Sequence, residues 1–209
     1  MLLFGHPGIT LGVATLLNGL WYQRRTRWTG LADKSPRPET HAARNCANGS
    51  VSQLLSFPEN SDIRLLLLGS LLPDLIDKPV GQLLFRESIG NGRIFSHTLL
   101  FLIALSLGGF YLYRRYGKNW LLVLSFGTFT HIILDEMWLV PQTLLWPLYG
   151  LAFAKLDLTH WAGDILSALF REPAVFVPEL IGLTVLLWLA WQVIRSKSIH
   201  SFLRYGRVN

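Results

Sequence analysis

Gly127-Thr128-Phe129-Thr130-His131-Ile132-Ile133-Leu134-Asp135-Glu136-Met137-Trp138 decides how this chain is read, because a histidine and a carboxylate interrupt a run otherwise apolar enough for a membrane. On a helix His131 and Asp135 are four apart and share a face. An ionisable residue inside a spanning segment is costly and usually marks a functional site, and imidazole nitrogen and carboxylate oxygen are ligands a divalent metal prefers. The same spacing also suits a plain hydrogen bond in a buried helix interface. What the pair means therefore depends on what the other apolar stretches bring to its level.

The chain has 209 residues, 51% hydrophobic and 15% charged, with eight tryptophans. That balance points away from a soluble globule and towards an all-α, polytopic membrane bundle forming a single domain over 1–209. The formal charge of +6 does not call for nucleic acid, because the basic residues flank the apolar runs; topology is the simpler account. One cysteine, Cys46, excludes an internal disulfide and a Cys-rich zinc site. The N-terminus lacks the basic region of a cleavable signal peptide, which predicts a retained first helix.

Taken in order, residues 2–22 predict a first helix with His6 at its start, and 23–62 a polar extramembrane loop. Ile63–Ile76 is apolar but short, and runs into Pro73-Asp74-Leu75-Ile76-Asp77-Lys78-Pro79, which predicts a helix that stops or bends at membrane depth beside a polar cavity. Phe95–Tyr113 and Asn119–Trp138 predict an antiparallel hairpin across the basic turn at Arg114-Arg115. Pro141–Phe153 reads as a re-entrant or interfacial piece, His160 and Asp164 as part of an interfacial amphipathic stretch, and Val175–Ile194 as the cleanest span, before a basic tail over 195–209. About five spans result.

Counting steps places the ionisable residues at one level. His97 to Tyr113, Asn119 to Asp135 and His6 to Tyr22 are each 16 steps, or roughly 24 Å at about 1.5 Å per residue. Asp74 and Asp77 lie 10 and 13 residues beyond Arg64. Four helices thus bring His or Asp to the side opposite the arginines. With five spans, 14 of the 19 basic residues share that arginine side, which predicts that it is cytoplasmic and that His6, Asp74, Asp77, His97, His131 and Asp135 face outward.

The pieces Gly5-His6, Gly69-Ser70-Leu71-Leu72-Pro73-Asp74-Leu75-Ile76-Asp77, Gly92-Arg93-Ile94-Phe95-Ser96-His97-Thr98, and His131-Ile132-Ile133-Leu134-Asp135 followed by Leu145-Trp146-Pro147-Leu148 resemble the membrane-bound, metal-dependent hydrolases that include the LexA-regulated, YdjM-like proteins. The resemblance covers residues 5–148 in order. It implies metal ligands at His6, Asp74, Asp77, His97, His131 and Asp135. The chain departs from the pattern at Gly92, where many members carry a second histidine beside the arginine. The family is in turn distantly similar to zinc-dependent phospholipase C, an analogy of fold.

Three functions compete on these residues. The first is a hydrolase in which a divalent metal, zinc favoured because three candidate ligands are imidazoles, activates water against a phosphoester of a lipid or lipid-linked substrate. Glu136 is then a candidate general base, although about 100° round the helix from Asp135, and Arg93 a clamp for phosphate. The second is a small proton- or ion-coupled transporter, which predicts polar residues through the full depth of the helices. The third is a catalytically inert membrane protein with a structural metal. The partners expected are the lipid bilayer and such a substrate, with no nucleic acid.

Overall fold

The computed structural model describes residues 3–32, 62–84, 91–150 and 161–206. Its described residues form eight α-helices and no strand: α1 (Gly5–Ala32), α2 (Ile63–Lys78), α3 (Leu99–Tyr116), α4 (Trp120–Leu134), α5 (Pro141–Leu144), α6 (Trp161–Arg171), α7 (Pro173–Arg195) and α8 (Ile199–Tyr205). A π-helical turn, Pro79–Leu84, follows α2, and a 3-10 turn, Met137–Leu139, follows α4. α4 packs against α2, α3 and α1, while α1 also packs against α7.

Several boundaries differ from the sequence expectation. α1 continues ten residues past Tyr22, because no proline and no glycine before Gly30 stops a stretch of adequate helix formers; the rest of the expected loop, 33–61, lies outside the described residues. α2 does not stop at Pro73 but runs through it to Lys78. The basic tail folds in part as α8. His160 and the side chain of Asp164 lie outside the described residues.

Among the described helices, α7 alone is long and apolar enough to cross a membrane by itself. The 15 residues of α4 reach only about 22 Å, short of the ~30 Å hydrocarbon core, and α3 carries Arg114 and Arg115 in its last turn. The distribution of side chains nevertheless suits lipid. Among the described residues 16 polar or charged side chains are buried against 11 apolar ones, while Leu107, Phe110, Leu187, Trp191 and many others face outward. Water as solvent favours the opposite arrangement.

In lipid, helices gain little from hiding leucine, and close backbone approach and interhelical hydrogen bonds take over. α4 makes a hydroxyl bond to each neighbour: Thr130 Oγ1 to Thr10 Oγ1 of α1 at 2.8 Å, Ser125 Oγ to Ser106 Oγ of α3 at 2.7 Å, and Thr128 Oγ1 to the Gly69 carbonyl of α2 at 3.2 Å. The last bond explains how α2 survives its proline. Pro73 has no N–H for the carbonyl four residues back, and the Thr128 hydroxyl, shared with the Leu124 carbonyl of its own helix at 3.1 Å, reaches it instead. Two glycines allow the approach: a Cβ on Gly69 would meet the Leu124 carbonyl oxygen at 2.4 Å, and one on Gly127 the Leu66 carbonyl oxygen at 2.6 Å.

The bundle is polar at one end and apolar at the other. Leu11, Ala14, Ile63, Leu66, Leu189 and Val193 pack together from α1, α2 and α7. Beyond that plug lie His6, His97 and His131, the buried histidines among the described residues.

Candidate metal centre

Three helix ends and one loop meet at the polar end. α1 brings His6, α2 brings Asp74 and Asp77, α4 brings His131 and Asp135, and the loop before α3 brings Arg93 and His97. The loop is shaped by Asp77, whose carboxylate accepts from the backbone N–H groups of Ile94 at 2.7 Å, Ser96 at 3.0 Å and His97 at 3.3 Å. α3 therefore starts later than expected: Thr98 caps it, accepting from Phe101 N at 3.1 Å, and His97 precedes the helix. The 141–150 segment leans on this loop through an edge contact of Trp146 with Phe95, ring centroids 5.4 Å apart.

Both central imidazoles have one nitrogen committed. His97 Nδ1 donates to Asp77 Oδ2 at 2.7 Å. His131 Nδ1 donates to the Ser70 carbonyl at 2.6 Å, a contact that depends on the Gly69–Gly127 crossing. Acceptors on both Nδ1 atoms fix the tautomers so that each Nε2 keeps its lone pair. The two Nε2 atoms then face each other at 3.2 Å, an arrangement that requires a cation or a proton between them.

Two carboxylates complete the cluster. Asp74 Oδ1 lies 3.6 Å from His97 Nε2 and 4.0 Å from His131 Nε2; Asp135 Oδ2 lies 3.8 and 3.9 Å from the same atoms. Ligands of a tetrahedral zinc at about 2.0–2.1 Å stand roughly 3.3 Å apart, so each carboxylate oxygen would move in by about 0.3–0.7 Å to share an ion with the two imidazoles. His6 is fully buried, stacked on His131 with centroids 4.1 Å apart, and neither of its ring nitrogens has a hydrogen-bond partner. Its Nε2 lies 3.2 Å from Asp135 Oδ1. An orphaned imidazole aimed at a carboxylate is what an incomplete ligand set looks like.

Of the six expected ligands, His6, Asp74, His97, His131 and Asp135 offer atoms to this cluster. Asp77 lies against it, but its oxygens are occupied by the loop and by His97 Nδ1. Arg93 sits at the rim, Nη2 2.9 Å from Asp135 Oδ2. Glu136 is left outside: α4 ends at Leu134, Glu136 takes a left-handed φ of 52°, and its side chain is exposed while Asp135 is buried. The sequence reading missed two residues. Lys78 pairs with Asp74 Oδ2 at 2.6 Å, a contact that the four-residue spacing signals. Glu179, a carboxylate inside α7, is buried and accepts from Phe4 N at 2.8 Å, holding the start of α1 and hence His6; a lone acid in a helix long and apolar enough to cross a membrane was the signal.

Neither the curated proteins nor the solved structures contain a significant match. The sequence does match the YdjM inner membrane protein family over residues 37–199, a range that takes in Asp74, Asp77, Arg93, His97, His131 and Asp135 and begins after His6. The chain is therefore an inner membrane protein belonging to the YdjM family.

Proposed function

We propose that this is a polytopic inner membrane protein of about five spans whose buried His/Asp centre binds one divalent ion, zinc favoured, and hydrolyses a phosphoester of a lipid or lipid-linked substrate at the outer face. The observation that carries the reading is the pair of Nε2 lone pairs turned on each other and on two carboxylate oxygens. One ion fits better than two, because His131 has a single free nitrogen and both possible ligand groups, His6–His131–Asp135 and Asp74–His97–His131, must share it. Asp77 and the Ser70 carbonyl then serve as the outer partners that orient the imidazoles.

A divalent ion bound there would supply Lewis acidity and bring the pKa of a water near neutrality. The chain's own groups bind and orient the substrate. Arg93 and Lys78, with side chains 41% and 45% exposed, hold Asp135 and Asp74 from the rim, and each can turn from its carboxylate to a phosphate. Among the groups in direct contact, three carboxylates and two cations leave one negative charge, which a divalent ion converts to a positive one. That balance favours an anionic substrate.

The structural-metal alternative predicts a closed site, and the exposed cations at the rim argue for an open one. A transport pathway is disfavoured by the apolar plug of Leu11, Leu66 and Leu189 beneath the centre. The test is hydrolysis of phosphoester lipids in mixed micelles with added zinc, comparing wild type with His97→Ala. Release of phosphate or a phosphorylated headgroup by wild type alone is expected. Equal rates across a broad panel of lipids and soluble esters would leave the structural-metal reading in its place.

A further inference from the structure

A cavity of about 720 Å³ runs along the outside of the centre between α2, α6, α7 and the start of α1. Leu71 and Leu75 of α2, Phe170 of α6, and Phe176, Leu180 and Leu183 of α7 line it, and its charged side chains are Asp74, Lys78 and Glu179. Ile63 and Leu66 pack with Leu189 and Val193, so α2 and α7 run antiparallel. Leu71 to Lys78 and Phe176 to Leu183 are thus opposite walls, each about seven helical steps or roughly 10 Å long. Leu71 and Leu183 form the apolar floor, and Lys78 stands at the rim.

Asp74 belongs to both spaces. Its Oδ1 approaches His97 Nε2 and its Oδ2 meets Lys78 Nζ, while the carboxylate forms part of the cavity wall. Leu75 and Leu180 are half exposed, which opens the groove sideways to lipid. Glu179 is buried and accepts from Phe4 N, so it does not spoil the apolar interior. The volume lies within the ~300–1,000 Å³ of small-molecule pockets.

We propose that this groove seats a hydrocarbon chain of an anionic phospholipid entering from the bilayer, with Lys78 holding the headgroup beside Asp74. The inference rests on the lipid-hydrolase reading and names where its substrate lies. An anion at Lys78 is adjacent to the candidate metal ligands, whereas the chain, kept in the groove, fixes which ester reaches them.

The test uses the full chain in nanodiscs containing either a phosphatidylglycerol or a phosphatidylcholine probe with a diazirine on its acyl chain. After irradiation, adducts are mapped by mass spectrometry. Labelling is expected to concentrate on peptides carrying Leu71, Leu75 and Leu180, to fall several-fold in Leu75→Trp and Leu180→Trp at unchanged metal content, and to fall in Lys78→Gln for the anionic probe more than for the zwitterionic one. Even labelling of all lipid-facing helices, untouched by the tryptophans, overturns the proposal, as does an equal loss of both probes in Lys78→Gln. Groove labelling without any lipid hydrolysis would sustain the binding site and sink the hydrolase; hydrolysis with no groove labelling would do the reverse.

Discussion

His97 and His131 present their Nε2 atoms to each other at 3.2 Å while Asp77 and the Ser70 carbonyl hold the opposite nitrogens. Each ring is thereby oriented before any ion arrives. Purified wild-type protein should retain about one divalent ion per chain, and His131→Ala and Asp74→Ala should lose it. Asp77→Asn should weaken binding about 10–100-fold, the usual effect of removing an outer partner, yet still fill at high metal. Elemental analysis with competition titrations separates the cases. Complete loss in Asp77→Asn would restore Asp77 to the ligand set, and equal metal content in all variants would remove the site.

The crossing of α2 and α4 sets the distance from His131 to Ser70. Gly69→Ala and Gly127→Ala each force backbone apart, and should destabilise by roughly 1–3 kcal/mol even though alanine is the better helix former by about 1 kcal/mol. Gly12→Ala is the control, since its Cβ would meet only Val185 at 3.9 Å, and should leave stability unchanged or raise it by up to about 1 kcal/mol. Unfolding in mixed detergent, followed by helical circular dichroism, measures all three. Gly127→Ala as stable as wild type would mean that the helices do not cross this closely.

The level of the site was legible because step counting needs only the helix rise. His6, His97 and Asp135 were each placed 16 residues from their arginine-side ends, and His6 Nε2 and His97 Nε2 now lie 3.2 and 3.8 Å from Asp135. Which carboxylate faces inward was not legible. Asp74 and Asp77 differ only in whether the following loop returns to donate its N–H groups, and that depends on the turn after Lys78. The glycine crossing was hidden for a similar reason: Gly69 and Gly127 lie 58 positions apart, and nothing in either helix alone names its partner. Glu179 and the four-residue spacing of Asp74 and Lys78 were legible by contrast, the first as a lone acid in an apolar helix and the second as an i, i+4 pair.

Thr128 and Pro73 form a pair that a double-mutant cycle can isolate. Thr128→Val removes the hydroxyl that reaches the Gly69 carbonyl and should cost ~0.6 kcal/mol, with ~1.7 as the upper end for such bonds in a membrane bundle. In a Pro73→Ala background the restored N–H can satisfy that carbonyl, so the same change should cost measurably less. An unchanged penalty would show that Thr128 contributes through packing or through its bond to the Leu124 carbonyl, and not by satisfying the Gly69 carbonyl.

At the other end of the bundle, Asp62 caps α2 and joins it to α8. It accepts from Arg64 N at 2.9 Å and from Arg64 Nε and Nη2 at 3.0 and 2.6 Å, Arg64 Nη1 donates to the Leu203 carbonyl at 2.6 Å, and Ile63 N donates to the Gly206 carbonyl at 3.0 Å. Burial pushes the Asp62 carboxyl up, but the Arg64 bonds outweigh it and hold the group below its ordinary value. A depressed carboxyl stabilises the fold above the ordinary pKa of about 3.9 and loses that contribution as the pH falls through its own lower value. Protease cleavage within α8 should therefore rise on acidification in that window in wild type and show no such step in Asp62→Asn. The same step in both would assign it to another group.

Sidedness is the last expectation, and the fold sharpens it. α8 docks on Asp62 at the start of α2, and α4, which packs along α2 from Gly127 beside Leu66 to His131 beside Ser70, must start at the same end, so the Arg114–Lys118 turn and the C-terminus share one side. Among the described residues that side holds Arg64, Arg114, Arg115, Lys118, Arg195, Lys197 and Arg204, which predicts that it is cytoplasmic. Green fluorescent protein fused after Tyr205 or inserted beside Lys118 should fluoresce, and alkaline phosphatase at either place should stay inactive. Opposite results at the two positions would break the bundle as described. Phosphatase activity at both would keep the bundle and turn it over, so that Arg93 and Lys78 would meet phosphoesters of the inner leaflet instead.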